Sequence, residues 1–433
     1  MGSTEQISMN SGEDINKLLQ SYGYKESFKT WKSSARLHEA EDNVLRMLSF
    51  YPDGDSERTC EVLHVDIGGG DYMHEFCIEN KLPMTRDTCK DIVLVHGYGT
   101  ALGVFIRNFD ELSQIPGVRL HAIDMLGYGL SSRPRFPRSG FWDYYVKGKV
   151  VTKEQVEEAL AFFVDSLEAW REKRNVDSFV LVGHSLGGYL SSFYALRHPE
   201  RIDKLVLVSP VGVETSIYDL TAEHTPEHQH AGQLGPEVAS EFKEDATEHT
   251  TDLSIDSNSP QSSSLHIPNE KGFVEHVPNI PWLVKMLWNT NVSPFSLLRL
   301  LGPLGPKICA NWSFRRFGAC KDTNELMNFH QYAYNNFKAK GSGEYAMMKI
   351  LAPGALARVP LLSQLPGALK CDSLWMYGSN DWMSKEAGCI IVEELQEKSD
   401  YRAEYKIVNN AGHHLYLDNP EEFNRELKLF LNV

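Results

Sequence analysis

No stretch of the chain approaches the ~18 to 20 consecutive apolar residues that a membrane-spanning helix needs, because charges and prolines interrupt every candidate. Any membrane contact is therefore expected to be peripheral. Cysteine is sparse: Cys60, Cys77, Cys89, Cys309, Cys320, Cys371 and Cys389 are odd in number, widely spaced and form no Cys-x-x-Cys pair. Neither a disulfide framework nor a zinc site is indicated, no metal or cofactor is called for, and a reducing compartment is expected. Positive charge is also short, 43 Lys and Arg against 58 Asp and Glu, for a net charge of -15. Such a surface repels a phosphate backbone, which argues against a general nucleic-acid-binding role. Residues Met1 to Asp14 hold Glu5, Glu13 and Asp14 and have no apolar run, so neither a secretory signal nor an arginine-rich presequence is expected. Gly2 follows Met1, but Gln6 stands where the myristoylation pattern needs Ser or Thr.

What is present is material for a large core: 42% of residues are hydrophobic and 11% aromatic. Residues 1–50 read as a polar, mobile tail followed by an amphipathic helix over Trp31 to Leu48, with Leu37, Ala40, Val44, Leu45 and Leu48 near helical spacing. Docking on the core is the simpler role for that helix; Phe28 and Trp31 keep a membrane anchor as the alternative. From residue 51 to 213, apolar runs such as Asp91 to Val95, Arg119 to Ile123, Ser178 to Val182 and Lys204 to Val208 alternate with helical patterns. The alternation resumes over 371–433. Runs of this kind predict a mostly parallel, doubly wound α/β sheet.

The stretch between is an insertion with two unlike halves. Within 214–270, Glu214 to Asp256 carries eleven acidic residues and one lysine, and Ser257 to Ser264 is serine-rich. That is the composition of a solvated, disordered loop. Within 271–370 the sign reverses: no acidic residue lies between His276 and Lys321, while Lys285, Arg299, Lys307, Arg315 and Arg316 sit among many Leu, Trp and Phe residues. Prolines break this half into short helices, and it reads as a lipid-binding cap; a plain buried helical layer explains the apolar residues but not the one-sided charge.

A serine hydroxyl becomes a useful nucleophile only when a histidine takes its proton, and that histidine needs a carboxylate to hold it. In Gly183-His184-Ser185-Leu186-Gly187 the flanking glycines permit a tight strand-to-helix turn that exposes Ser185. The competing role for Ser185 is a helix cap. Gly378-Ser379-Asn380-Asp381 follows an apolar run and offers Asp381 as the acid, although an ordinary turn aspartate fits there too. Near the C-terminus either His413 or His414 can serve as base, and the position after Ala411-Gly412 favours His413. The N–H groups of Tyr98, in His96-Gly97-Tyr98-Gly99, and of Leu186 are the candidate oxyanion donors; His96-Gly97 as a mere tight turn is the alternative. Epoxide hydrolase or dehalogenase chemistry is disfavoured, because it needs aspartate where Ser185 stands.

His96-Gly97-Tyr98-Gly99, Asn108-Phe109, Asp124 through Pro134, the Ser185 turn and Ala411-Gly412-His413-His414-Leu415-Tyr416-Leu417-Asp418-Asn419-Pro420 together resemble one lipid-metabolic subfamily of the α/β-hydrolase fold. It contains the lipid-droplet lipase co-activator of neutral lipid storage disease, the N-acyl phosphatidylethanolamine lipase, and the fungal cardiolipin-specific deacylase with its lysophosphatidate acyltransferase relatives. The phrases Leu37 to Glu41 and Ser293 through Pro306 look most similar to the fungal deacylase branch. The resemblance implies Ser185 as nucleophile, Asp381 as acid and His413 as base, and it places the subfamily's His-x4-Asp acyl-transfer motif on His413 and Asp418. Asp418 to Glu422 also reads as a capped helix start. The co-activator branch lacks the serine that this chain keeps.

The expected function is deacylation of a phospholipid, cardiolipin among the candidates, through a Ser-Asp-His triad. Acyl transfer from acyl-CoA to lysophosphatidate is the alternative, and a non-catalytic lipid-surface co-activator is the alternative of another class. The expected partners are a phospholipid and an anionic membrane surface, to which each basic residue contributes ~1 kcal/mol. Resemblance implies the mitochondrial inner membrane, with cytosol or lipid droplet as alternatives.

Overall fold

The computed structural model describes residues 12–32, 36–83, 90–138, 150–222, 265–268, 274–277, 280–318 and 322–433, together with residues 142, 147 and 320. Strands β1 (Arg58–Gly68), β2 (Asp71–Asn80), β3 (Asp91–Val95), β4 (Arg119–Ile123), β5 (Phe179–His184) and β6 (Ile202–Val208) come first. Two small pairs lie in the insertion, β7 (Leu265–Pro268) with β8 (Val274–Val277) and β9 (Leu351–Ala352) with β10 (Leu356–Ala357); β11 (Asp372–Gly378) and β12 (Ala403–Val408) follow. The main sheet has eight strands in the order β1-β2-β4-β3-β5-β6-β11-β12, antiparallel at β1-β2 and β2-β4 and parallel from β4 onward.

The apolar runs become central strands because each has two faces to bury. Val93 and Val95 of β3 and Leu181 of β5 join one core, while Ile92, Leu94, Val180 and Val182 join the other. Each such side chain contributes about 1.5–3 kcal/mol when fully buried. Helices Lys153–Arg174, Leu186–Arg197 and Lys385–Lys398 cover the first face; helices Leu37–Leu45, Ile106–Leu112 and Pro420–Leu431 cover the second. The longest of these begins where the Thr152 side chain accepts from the Gln155 N–H and ends at Asn175 in a left-handed conformation (φ 51°). Those are the stop and start signals expected of an autonomous helix.

Four strands end flush at the edge that matters. His184 and Met376 both lie beside Val208, and Gly378 lies beside Val408. The loops that carry Ser185, Ser209, Asp381 and His413 therefore leave the sheet side by side, where ligands bind in open α/β sheets.

Above this edge lie helices Trp282–Asn289, Pro294–Leu300, Gly305–Arg316, Thr323–Lys338 and Gly343–Ile350. Helix Thr323–Lys338 fastens the layer to the core: the Asn336 amide donates to the Thr100 carbonyl (3.0 Å) and accepts from the Gly129 N–H (3.1 Å), and Arg107 pairs with Glu325 at 3.0 Å. The one-sided charge read from the sequence is partly closed within the layer, because Arg299 pairs with buried Glu344 and donates to the carbonyls of Phe337 and Ala339.

Two segments differ from the sequence reading. The stretch Trp31 to Leu48 is not one helix: one helix ends at Lys32 and another spans Leu37–Leu45, with Arg36 extended before it. Part of the polar region before Tyr24 is helical as well (Gly12–Ser21), with Leu18 and Leu19 packed on the core. Helix Tyr24–Lys32 docks on the cap, where the Ser27 hydroxyl donates to the Pro303 carbonyl and accepts from the Lys307 N–H. Most of the acidic region at 214–270 lies outside the described residues, but Ser216 and Asp219 are buried and Leu220 donates to the Arg358 carbonyl at 2.8 Å. Those first residues are packed rather than solvated.

Among the described residues Cys60, Cys77, Cys309, Cys320, Cys371 and Cys389 are free thiols, and no helix is long and apolar enough to cross a membrane.

Candidate active site

The turn after β5 holds Ser185 at φ 53° and ψ -116°, a sparsely populated conformation that costs on the order of 1–3 kcal/mol and must be imposed by its surroundings. Three backbone hydrogen bonds impose it: Ser185 N–H to the Val208 carbonyl (2.9 Å), and the Ser185 carbonyl accepting from Tyr189 (3.1 Å) and Val211 (3.3 Å). The flanking glycines are a packing requirement. A Cβ on Gly183 would lie 2.5 Å from the Ser191 Oγ, and one on Gly187 would lie 2.5 Å from the His96 and Val95 carbonyl oxygens. Ser185 opens helix Leu186–Arg197, yet its side chain makes no capping bond, so the hydroxyl is not spent on the helix. It makes no hydrogen bond with any other described residue.

Asp381 and His413 are brought together, with the His413 Nδ1 3.1 Å from one Asp381 oxygen. That oxygen also accepts from the Met383 N–H at 3.1 Å, and the other accepts a short bond from the Ser209 hydroxyl. Burial opposes the charge on Asp381, but His413 and the Ser209 hydroxyl outweigh it and hold the carboxyl below the usual carboxylate range. Burial lowers His413 from its ordinary value of 6.5 and the Asp381 charge opposes that shift, so the imidazole is neutral at pH 7 and free to take a proton.

His184 links this pair to Ser185. Its Nε2 lies 3.1 Å from the His413 carbonyl oxygen and its Nδ1 lies 3.3 Å from the Tyr416 hydroxyl. Burial drives His184 well below 6.5, so the neutral ring donates through Nε2 and accepts at Nδ1. Its ring centroid lies 4.7 Å from that of His413. His414 also packs on His184, at 4.9 Å, and against Phe317, and no described carboxylate bonds to it. Of the two histidines left open by the sequence, only His413 has the acid.

The N–H groups of Tyr98 and Leu186 make no hydrogen bond to any described residue, and that of Leu186 is the first donor of its helix, where the dipole favours negative charge. A Cβ on Gly97, between these two loops, would come 3.0 Å from the Ser185 Cβ. The Tyr98 loop and Ser185 thus approach as closely as backbone allows. From the cap, the Phe295 ring stacks on Tyr98 at 4.8 Å and on Phe337 at 4.4 Å. A Cβ on Gly99, whose φ is 73°, would lie 2.9 Å from the Phe295 ring.

Asp418 accepts the Gly412 N–H at 2.9 Å, immediately before His413. The helix cap read from Asp418 to Glu422 belongs to Asn419, whose side chain accepts from the Glu422 N–H, with Pro420 in the first turn. Ser209, His184 and Arg316 are the site residues that sequence reasoning missed. His184 stands inside the Ser185 motif and Ser209 directly after the apolar run Lys204 to Val208, which was the available signal.

A strained serine beside a buried His-Asp pair and two unspent donors is the arrangement of one large family, and the profile described as alpha/beta hydrolase fold matches residues 91–420. The chain belongs to the α/β-hydrolase fold family. A rice (Oryza sativa subsp. japonica) protein named probable 1-acylglycerol-3-phosphate O-acyltransferase is 31% identical over 345 residues, 78% of this chain and 66% of that protein. The chain thus spans just under two thirds of that relative's length. Protein ECM18 of Saccharomyces cerevisiae is 28% identical over 435 residues, 94% of this chain and 84% of that one. The mouse (Mus musculus) (lyso)-N-acylphosphatidylethanolamine lipase is 29% identical over 344 residues, 79% of each chain. These belong to the subfamily that the motifs resemble, so the protein is an α/β hydrolase related to lipid acyltransferases and lipases.

Proposed function

We propose that this α/β hydrolase deacylates phospholipids through an acyl-enzyme on Ser185. The observation that carries the reading is the buried Asp381–His413 pair, joined through His184 to a serine held in a strained turn. His413 takes the Ser185 proton as the oxygen attacks the ester carbonyl, and Asp381 stabilises the imidazolium. The N–H groups of Tyr98 and Leu186 receive the oxyanion, where loss of one donor typically costs ~10² to 10³ in rate. His413 then protonates the departing lysolipid alkoxide, and a water activated by the same histidine releases the fatty acid.

The lipid part of the reading is supported by the surface. Leu300 is 83% exposed and Tyr24 69% exposed, with Leu304 and Ile308 also open, on the cap and the N-terminal helix docked to it. An anionic membrane is the surface we favour, the mitochondrial inner membrane by resemblance; fractionation of cells distinguishes it from cytosol and lipid droplets.

Labelling with a fluorophosphonate probe and hydrolysis of a phospholipid panel that includes cardiolipin test the reading. Ser185→Ala is expected to lose labelling and to lower hydrolysis by about 10⁴-fold or more. A variant as active as wild type refutes it, and a wild-type chain that never labels favours a non-catalytic lipid-surface adaptor.

Acyl transfer from acyl-CoA to a lysophospholipid is the second reading, favoured by the similarity to the rice protein of that name. It uses the same acyl-enzyme with a lipid alcohol in place of water. Purified protein given labelled lysophosphatidate and acyl-CoA that forms no phosphatidate would remove it.

A further inference from the structure

Arg316 closes the cap helix Gly305–Arg316 above the catalytic loops. It differs from the other arginines that tie the cap to the core. Arg299 is satisfied by Glu344 and two carbonyls, Arg133 by the carbonyls of Gly127, Gly129 and Lys340, and Arg107 by Glu325 and the Leu417 carbonyl. Arg316 makes no hydrogen bond or close ion pair with any described residue, and its Nε is buried without a partner. A buried N–H on a cation is costly to leave unused, and the rest of the partly exposed guanidinium keeps its N–H groups open to a ligand. Among the described residues the fold supplies this charge with no hydrogen-bonded partner of its own.

The point lies beside the reacting groups. The next residue, Phe317, stacks on His414. Arg316 feels the charges of Tyr416, Asp418 and Asp381, and it in turn depresses the protonation of His184, His413 and His414. His184 immediately precedes Ser185. A guanidinium among these groups is within reach of a charged group attached, a few covalent bonds away, to an ester at Ser185. In a glycerophospholipid or lysophosphatidate that group is the phosphate, which a planar guanidinium grips with two parallel hydrogen bonds.

We propose that Arg316 is the subsite for the phosphate of the lipid substrate, so that the α/β hydrolase selects anionic glycerolipids over neutral esters of the same acyl chain. The assignment rests on the deacylase reading and deepens it. The readout is the ratio of kcat/KM for an anionic phospholipid to that for a neutral acylglycerol with identical acyl chains, both in neutral detergent micelles. Wild type favours the anionic substrate. Arg316→Gln lowers the ratio by about 10- to 100-fold, the worth of a charge-assisted hydrogen-bonded pair. Arg316→Lys keeps the charge without the fork and falls between, which separates lost recognition from a folding defect. With the nearby cation gone, the His413 acid limb also moves to higher pH in Arg316→Gln.

An unchanged ratio overturns the assignment, whether both activities persist or both fall equally. Equilibrium binding of lysophosphatidate and of monoacylglycerol to the Ser185→Ala chain tests the subsite without turnover. Selective loss of lysophosphatidate affinity in the Arg316→Gln double variant supports the subsite even if the wild-type chain hydrolyses nothing, an outcome that would sink the deacylase reading alone. Loss of coenzyme A affinity with lysophosphatidate binding intact would overturn it in favour of an acyl-CoA site.

Discussion

Replacing Asp418 separates two accounts of a residue that stands five positions after His413, the base of the proposed mechanism. In one it takes part in acyl transfer; in the other it fixes the turn that presents His413. The structure supports the second, because the Asp418 carboxyl accepts the Gly412 N–H at 2.9 Å in a part-buried setting. Burial raises its pKa, and the Gly412 N–H together with Arg316 opposes that shift. Asp418→Ala leaves a part-buried N–H without its partner, a cost of up to about 1–3 kcal/mol. If that cost is met by loosening of the Gly412-His413 turn, kcat/KM falls about 5- to 150-fold. Asp418→Asn keeps an oxygen in place to accept the same bond, so it should stay within about threefold of wild type. Hydrolysis of phospholipid and acyl transfer to lysophosphatidate are measured side by side for both variants. Parallel losses in the alanine variant with recovery in the asparagine variant are expected. An asparagine variant that hydrolyses normally but no longer transfers would refute the positioning account.

The remaining predictions concern the base, the turn and the docking of the N-terminus. The hydrolysis rate of the wild type should fall with acid only below pH 6.5, since burial lowers His413 and the rate needs it unprotonated. Asp381→Asn removes the charge that props that value up, so kcat drops ~10⁴-fold and the residual acid limb moves to still lower pH; a limb that moves upward contradicts the pairing. Gly187→Ala forces a methyl within 2.5 Å of two strand carbonyls and should cost about 1–3 kcal/mol or more with loss of fluorophosphonate labelling. Thermal melting at the wild-type temperature would count against this. His330 bonds Ser313 and Tyr22, joining cap to N-terminus, and burial lowers its pKa to about 3. Between pH 6.5 and 3 the released form binds the proton and the docked form does not, so docking weakens by up to ~1.4 kcal/mol per pH unit as pH falls. Limited proteolysis near Tyr22 should therefore accelerate at pH 5 relative to pH 7.5, and His330→Gln should abolish the difference.

What could be read without the structure was what local rules decide. The Ser185 turn was legible because a glycine pair around a serine, after a buried strand, has few other uses, and Gly183 and Gly187 do prove to have no room for a Cβ. Asp381 and His413 were legible from chain order after apolar runs. The choice between His413 and His414 was only half legible, since adjacent histidines differ in which ring meets the acid, and that depends on how His184 and Tyr416 hold the loop. Other features were set by tertiary contact. Helix Tyr24–Lys32 docks through Ser27 on Pro303 and Lys307, whereas helix Leu37–Leu45 docks where Glu41 bonds His74 of β2 and Tyr332. Periodicity over Trp31 to Leu48 carries no trace of two different docking partners. The cap's charge was visible, but not that Glu344, far along the chain, would neutralise Arg299.

That last difference changes the meaning of the basic cap. A diffuse patch would attract any anionic surface and would act mainly on encounter, weakening with salt. With Arg299 and Lys307 occupied by the cap's own acid and by the Tyr22 carbonyl, two of the five cap cations are engaged within the protein, and Arg316 stands apart from the rest by lying beside the His413–Asp381 pair. A single partly buried guanidinium acts after encounter, on orientation, and salt screens it less than exposed charges. Recognition of the membrane and recognition of the substrate headgroup are then separable tasks. On the proposed reading the exposed leucines and aromatics of the cap and N-terminal helix serve the first, while Arg316 serves the second.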